Sequence, residues 1–290
     1  MPSKILDEIL QKRNRTSNLQ VVFLDVISYS KRRSQSQASV IDGFMKVLAK
    51  SIDGISAQYV TYAQENGLNF KDDIIALPAG DGAAIVFPFD GLHSIHLEFA
   101  KRTLKELSEH NELNKCEKFD ENGWCNCHGN FDLTIGISEG KGILYKDINQ
   151  NYNVAGEVIN IAARVMGKAE KNQILFSENA YKQIIDMVED PHLDEKFVLL
   201  PEVKVKHGLS LNIYQYSDKE CEYINSEMPE DLIMTKRAMD AIKGLAQATG
   251  MPFMDPSKLP DFDQTKMIEM MEGLGSVFNA ANAIDHKPDE

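Results

Sequence analysis

The segment "VVFLDVISYS", residues 21–30, sets the strongest constraint on the fold of this chain. A β-branched and aromatic run reads as a strand entering a core, yet Asp25 interrupts it. Burying a carboxylate costs several kcal/mol unless a partner compensates, so the strand must end at an edge where that acid is used. A turn or a helix cap would account for Asp25 taken alone. Asp81, in "AGDGAAIVF", is a second acid of the same kind, set in a Gly-Asp-Gly turn that is common for conformational reasons. If strands 20–26 and 83–87 flank one another, the two acids share one edge of the sheet. Carboxylates that close coexist ionised only around divalent cations, and hard oxygen ligation suits magnesium or manganese. The carbonyl of Val26 is a plausible further ligand.

A length of 290 residues accommodates one large domain or a domain with an appendage. The net charge of -13 argues against a nucleic-acid or anionic-membrane surface, so a polyanionic small molecule would need metal ions or a local cationic pocket. The opening "MPSKILDEILQKRNR" has no apolar core of a signal peptide, and no apolar run is long enough to span a bilayer. The expected location is cytoplasmic, which suits the four cysteines. Cys116, Cys125, Cys127 and His128 lie close together in "CEKFDENGWCNCHGN". Zinc is conceivable there, although C-x-C-H lacks the usual C-x-x-C spacing; a polar connecting loop is the plainer alternative.

The chain reads as an N-terminal helix (1–17), a central domain (18–217) and a helical C-terminal extension (218–290). Within the domain the expected order is strand, helix, strand, strand, helix, strand, helix, strand, helix, strand. This order predicts an α+β layer with helices on one side of a largely antiparallel sheet. In the extension, Met267, Met270, Met271 and Leu274 form a helical stripe suited to packing against this chain or a twin subunit.

Three further features carry chemistry. Asn160 and Arg164 are four residues apart on the helix "NVAGEVINIAARV", hence on one face and outside its apolar stripe; a solvated polar face explains most such pairs. Lys206 precedes the last strand, as many surface lysines do. The turn "ISYS" opens a helix whose free backbone N–H groups suit phosphate.

Together, "FLDVISYS", "AGDGAAIVF", "LTIGISEGKG", "GEVINIAARVMGKAEKNQILFSENAY" and "VKHGLSLNIYQY" resemble, in order, five motifs of the class III nucleotidyl cyclase catalytic domain. Ser28 replaces the glycine usual in the first. The resemblance covers about residues 18–217 and implies a ferredoxin-like, palm-type α+β fold. It implies that Asp25, Asp81 and the Val26 carbonyl hold two divalent cations, Mn2+ or Mg2+. By the same resemblance, Asn160 orients the ribose and Arg164 stabilises charge on the α-phosphate. Lys206 would meet the terminal phosphates, with the amides of Ser28, Tyr29 and Ser30 cradling the triphosphate. The implied substrate is a nucleoside triphosphate, and the implied assembly is a head-to-tail homodimer with shared sites.

The base-reading positions depart from the purine cyclases. Leu77 stands four residues before Asp81, and Asn153 three before Gly156, where those enzymes carry purine-reading side chains. Leu77 cannot hydrogen-bond a purine edge, while Asn153 offers a donor and an acceptor. In this respect the chain is similar to the pyrimidine cyclases of the bacterial Pycsar anti-phage system, which make cyclic UMP or cyclic CMP for a separately encoded effector. UTP is placed ahead of CTP. A divergent adenylate cyclase and an inactive cyclase-like binding or dimerisation module are the alternatives.

Overall fold

The computed structural model describes residues 3–116, 125–200, 203–205, 209–230 and 233. Helix α1 (Lys4–Gln11) precedes strand β1 (Thr16–Val26), and a 3-10 turn (Tyr29–Lys31) leads into the long helix α2 (Ser34–Gln58). Short helices α3 (Val60–Asn66) and α4 (Phe70–Asp73) connect to the hairpin of β2 (Ile75–Ala79) and β3 (Gly82–Phe87). Helix α5 (Ile95–Leu113) and a 3-10 turn (Asn126–Gly129) precede β4 (Leu133–Lys146), β5 (Tyr152–Ala155) and α6 (Glu157–Met166). Then come β6 (Ile174–Ser177), α7 (Glu178–Met187), β7 (Phe197–Leu199), β8 (Val203–Val205), β9 (Leu209–Leu211) and β10 (Ile213–Tyr216).

The main sheet runs β2-β3-β1-β4-β6-β10-β7, with β5 pairing on β4 away from this path. All its pairings are antiparallel except β4 with β6. Strand β1 sits between β3 and β4 and is buried along most of its length, as its unbroken apolar run requires. Successive side chains of β1 enter different cores. Val22, Leu24 and Val26 join Val40, Phe44 and Val47 of α2, Ile95, Phe99 and Leu104 of α5, and Ile184 of α7. Leu19 and Val21 join Leu6 and Ile9 of α1, Ala84 and Val86 of β3, and Val158 and Ala162 of α6. Each fully buried aliphatic side chain contributes about 1.5–3 kcal/mol relative to exposure.

Helices therefore cover both faces of the sheet, which corrects the expectation of one helical side. The reason is visible in β1 and β3: neither alternates apolar with polar residues, so neither has a face suited to water. Helix α1 belongs to the second core and is tied in by two bonds. Ser3 accepts from Leu6 N and donates to the buried Asp73 at 2.5 Å, while Tyr152 donates to Asp7 at 2.6 Å.

The chain divides into two compact units, residues 1–227 and 228–290. The first continues past the boundary expected at 217. Asp218 accepts from Lys196 and from Tyr216, both at 3.0 Å, and the amides of Gln173 and Gln215 both donate to the Glu227 carbonyl at 2.7 Å. The methionine-rich stripe from Met267 to Leu274 lies outside the described residues.

Helix α6 lies so close to β4 that its backbone contacts Gly136. A Cβ at Gly136 would overlap Met166 N and stand 2.5 Å from the Ala162 carbonyl. Both obstructions are backbone, so Gly136→Ala should destabilise the protein by about 1–3 kcal/mol. Urea denaturation checks this; an unchanged midpoint would contradict the close seating of α6.

Candidate active site

The antiparallel register of β1 and β3 places Asp25 opposite Gly82, the residue that follows Asp81. The two acids therefore share one end of the central strand pair, as the spacing predicted. Asp25 is half-buried. Desolvation first, and the negative charge of Asp81 second, raise its pKa above the ordinary 3.8. Gly82 gives this arrangement its room: a Cβ there would lie 2.5 Å from the Leu24 carbonyl and 2.8 Å from the Asp25 carboxylate. The second glycine of the Gly-Asp-Gly turn thus makes space for the first acid. Val26 is the last residue of β1, paired with Leu133 of β4, so its backbone lies at the same strand end.

The chain then turns through Ser28, which adopts a left-handed conformation (φ 56°, ψ 28°). This is the position where the resembling motif carries glycine, and a side chain there costs about 1–2 kcal/mol. The 3-10 turn that follows is closed by Lys31 N donating to the Ser28 carbonyl at 3.2 Å and Arg32 N to Tyr29 at 3.0 Å. The amides of Ser28, Tyr29 and Ser30 donate to no acceptor among the described residues. They stand next to the acid pair in sequence, before α2 rather than in its first turn. Donors in such a turn suit phosphate oxygens.

Leu77 and Asn153 come together from distant parts of the chain. Leu77 of β2 pairs with Ala84, while Asn153 of β5 pairs with Tyr145. Both line one cavity of about 460 Å3, together with Leu6, Pro78, Asp147 and Tyr152. Asn153 Oδ1 accepts from Val154 N at 2.7 Å, and the side-chain NH2 makes no hydrogen bond among the described residues. Sequence reasoning missed the contributions of Leu6 and Tyr152 to this cavity. No local signal marks them, because α1 and β5 reach it only through tertiary packing.

Asn160 is exposed on α6 and Arg164 partly exposed one turn later, while Val158, Ala162 and Val165 are buried against the sheet. Among the described residues, Arg164 is paired with no carboxylate. Asp25, Asp81, Asn160 and Arg164 do not line the cavity of Leu77 and Asn153. One chain thus presents an acid pair, an Asn/Arg face and an apolar-amide cavity without gathering all three in one pocket. Lys206 lies outside the described residues.

The acid pair fits divalent ions on its own chemistry: two carboxylates held together, one with its ionised form disfavoured, in a space cleared by Gly82. No helix among the described residues is long and apolar enough to cross a membrane.

No protein-family model and no curated protein sequence matches the chain. Solved structures do match. The adenylyl cyclase CyaB from P. aeruginosa is 16% identical over 70% of this chain and 95% of that one, with a TM-score of 0.50. A bacterial light-regulated adenylyl cyclase is 13% identical over 73% of this chain and 55% of that one, with a TM-score of 0.51. At such identity the likeness is one of fold. The chain has a mixed α+β fold, a mostly antiparallel sheet with helices, and shares that architecture with these two adenylyl cyclases.

Proposed function

We propose that this protein is a metal-dependent nucleotidyl cyclase that converts UTP, in preference to CTP, to a 3′,5′-cyclic nucleotide and pyrophosphate. The observation that carries the reading is the half-buried Asp25 held beside Asp81 across the β1–β3 register, in a fold otherwise seen in cyclases. Asp25 and Asp81, with the Val26 carbonyl, would hold two divalent cations. When bound, these ions supply charge neutralisation for the triphosphate and ease loss of the ribose 3′ proton.

The chain's own residues do the rest. The amides of Ser28, Tyr29 and Ser30 orient the phosphates, and Lys206 meets the terminal ones. Asn160 positions the ribose so that its 3′ oxygen lies in line with the α-phosphorus. Arg164, paired with no carboxylate among the described residues, stabilises the charge that develops as the 3′ oxygen bonds to the α-phosphorus and pyrophosphate leaves. By the resemblance, in which the metal acids and the Asn/Arg pair of one site come from different subunits, the reading includes a head-to-tail homodimer that completes two equivalent sites.

Leu77 and Asn153 support the pyrimidine assignment. Leu77 offers no polar partner, and Asn153 presents its NH2 as a donor beside an oxygen that already accepts from Val154 N. A donor matches the 4-oxo group of uracil and not the 4-amino group of cytosine. By likeness to the pyrimidine cyclases of anti-phage signalling, the product would serve a separately encoded effector in bacterial defence. An adenylate cyclase is the second reading, favoured by the activity named for both fold relatives. An inactive binding or dimerisation module is the third, and it has to explain why both acids, Asn160, Arg164 and Lys206 are all present.

Incubating the protein with each nucleoside triphosphate and Mn2+ should yield cyclic UMP as the dominant product. Cyclic AMP as the main product would replace the pyrimidine reading with the adenylate one, and no product from any nucleotide would favour the inactive module. Arg164→Ala should lower kcat by about a hundred- to a thousandfold with a smaller change in KM. Mixing Asp81→Ala chains with Arg164→Ala chains should restore about one site in four if dimers reassort at random. Absence of recovery would argue that sites are not shared.

The acid pair also makes a prediction about stability. Because the folded state raises the pKa of Asp25 above 3.8, it binds more protons than the unfolded chain as pH rises from that value. Stability therefore falls through this window, and ionised Asp25 costs stability at neutral pH. Without added metal, Asp25→Asn should be more stable than the wild type at neutral pH, with the advantage vanishing below pH 3.8. Mn2+ should raise the melting temperature of the wild type and not of the variant. Equal shifts in both proteins would place the metal elsewhere.

A further inference from the structure

Apart from the acid pair, the described residues gather one other set of strong ligand atoms. The Sγ atoms of Cys116, Cys125 and Cys127 all lie within 4.8 Å of one another. Cys116 comes just after α5, while Cys125 and Cys127 frame the turn before β4, so eight residues of intervening sequence separate the first sulfur from the other two. All three are free thiols; Cys125 is buried, Cys127 partly buried and Cys116 exposed. Cys125 and Cys127 are 2.9 Å apart sulfur to sulfur, and Cys125 also donates to the Cys116 carbonyl at 3.2 Å.

We propose that these three cysteines form a zinc site with a light-atom (nitrogen or oxygen) fourth donor, which clips the end of α5 to the turn before β4. Three converging thiols match the preference of zinc for soft sulfur ligands in tetrahedral geometry. With Zn–S bonds of about 2.3 Å, the sulfurs of a zinc tetrahedron stand about 3.7 Å apart. The Cys125–Cys127 pair, 2.9 Å apart, would open to reach that spacing, while Cys116 Sγ already lies within 4.8 Å of both. A disulfide between Cys125 and Cys127 would explain only two of the three. Binding converts the thiols to thiolates with loss of their protons.

The position of the clip gives it a structural task. The turn it holds accepts from the start of α2: Ser36 Oγ donates to the His128 carbonyl at 2.6 Å and Arg32 to the Asn130 carbonyl at 2.8 Å. On the α5 side, Asn111 donates to the Phe131 carbonyl at 2.8 Å and Asn130 to Asn114 at 3.2 Å. Zinc would therefore fasten together the end of α5, the entry to β4 and the segment that follows Ser28 to Ser30. This role does not depend on which nucleotide, if any, the protein uses.

Elemental analysis of the full chain, purified without added metal and dialysed, tests the proposal. One zinc per chain is expected, lost in Cys116→Ser, Cys125→Ser and Cys127→Ser, and kept in an Asp25→Ala, Asp81→Ala double variant. Since a serine variant that fails to fold would also lose metal, the wild type is separately exchanged with Co2+. Intense thiolate-to-cobalt charge-transfer absorption supports the site. Thiol titration in denaturant should find the three cysteines reactive only after a zinc chelator is added, and the chelator should lower the melting temperature. Zinc at background level, its loss from the double variant, a cobalt spectrum without thiolate bands, or a Cys125–Cys127 disulfide would each overturn the proposal.

Discussion

The structure turns on one alignment, the antiparallel register that sets Asp25 against Gly82 at the end of the central strand. A single-residue slip of β1 against β3 would send Asp25 into the α2/α5 core and bring Leu24 to the opposite face. Both cores hold the register, because β1 feeds alternate side chains to each. The carboxylate reaches its place only because Gly82 carries no side chain, so packing and site geometry meet in that residue. The cost of holding two acids together is visible in the raised pKa of Asp25, and dications are the means by which such a pair becomes stable.

The second organising feature is that the sheet is covered on both sides. Helices α2, α5 and α7 seal one face, while α1 and α6 seal the other, where α6 lies directly against Gly136. That close seating fixes the helix carrying Asn160 and Arg164 relative to the strands carrying the acids. Strand β5, pairing with the far end of β4, brings Asn153 to Leu77 of β2, and α1 adds Leu6 to the same cavity.

Much of the candidate site was legible because its chemistry is local. An acid interrupting an apolar strand, an acid between two glycines, and an Asn/Arg pair at helical spacing each declare themselves within a few residues. The substitution of Ser28 for glycine was also visible, though its meaning was not: only the backbone shows that the residue occupies the left-handed region. Other features had no such signature. The two-sided cover of the sheet and the continuation of the domain through Glu227 depend on partners far away in the chain. The same holds for the cysteines, whose C-x-C-H spacing argued for a plain loop until the end of α5 brought Cys116 to the other two sulfurs.

From its residues alone, then, this chain pointed to an α+β domain, marked Asp25 and Asp81 as acids to be explained as a pair, and placed Leu77 and Asn153 where the motifs it resembles carry purine-reading side chains. Apolar periodicity and the energetic penalty on buried charge act through neighbouring residues, so they are written in the order of the amino acids. Tertiary structure alone decided which face each helix covers, that Leu77 and Asn153 share a cavity, that Gly82 makes room for Asp25, and that three sulfurs converge. These are matters of distance between segments remote in sequence, settled by register and packing after the chain has closed on itself.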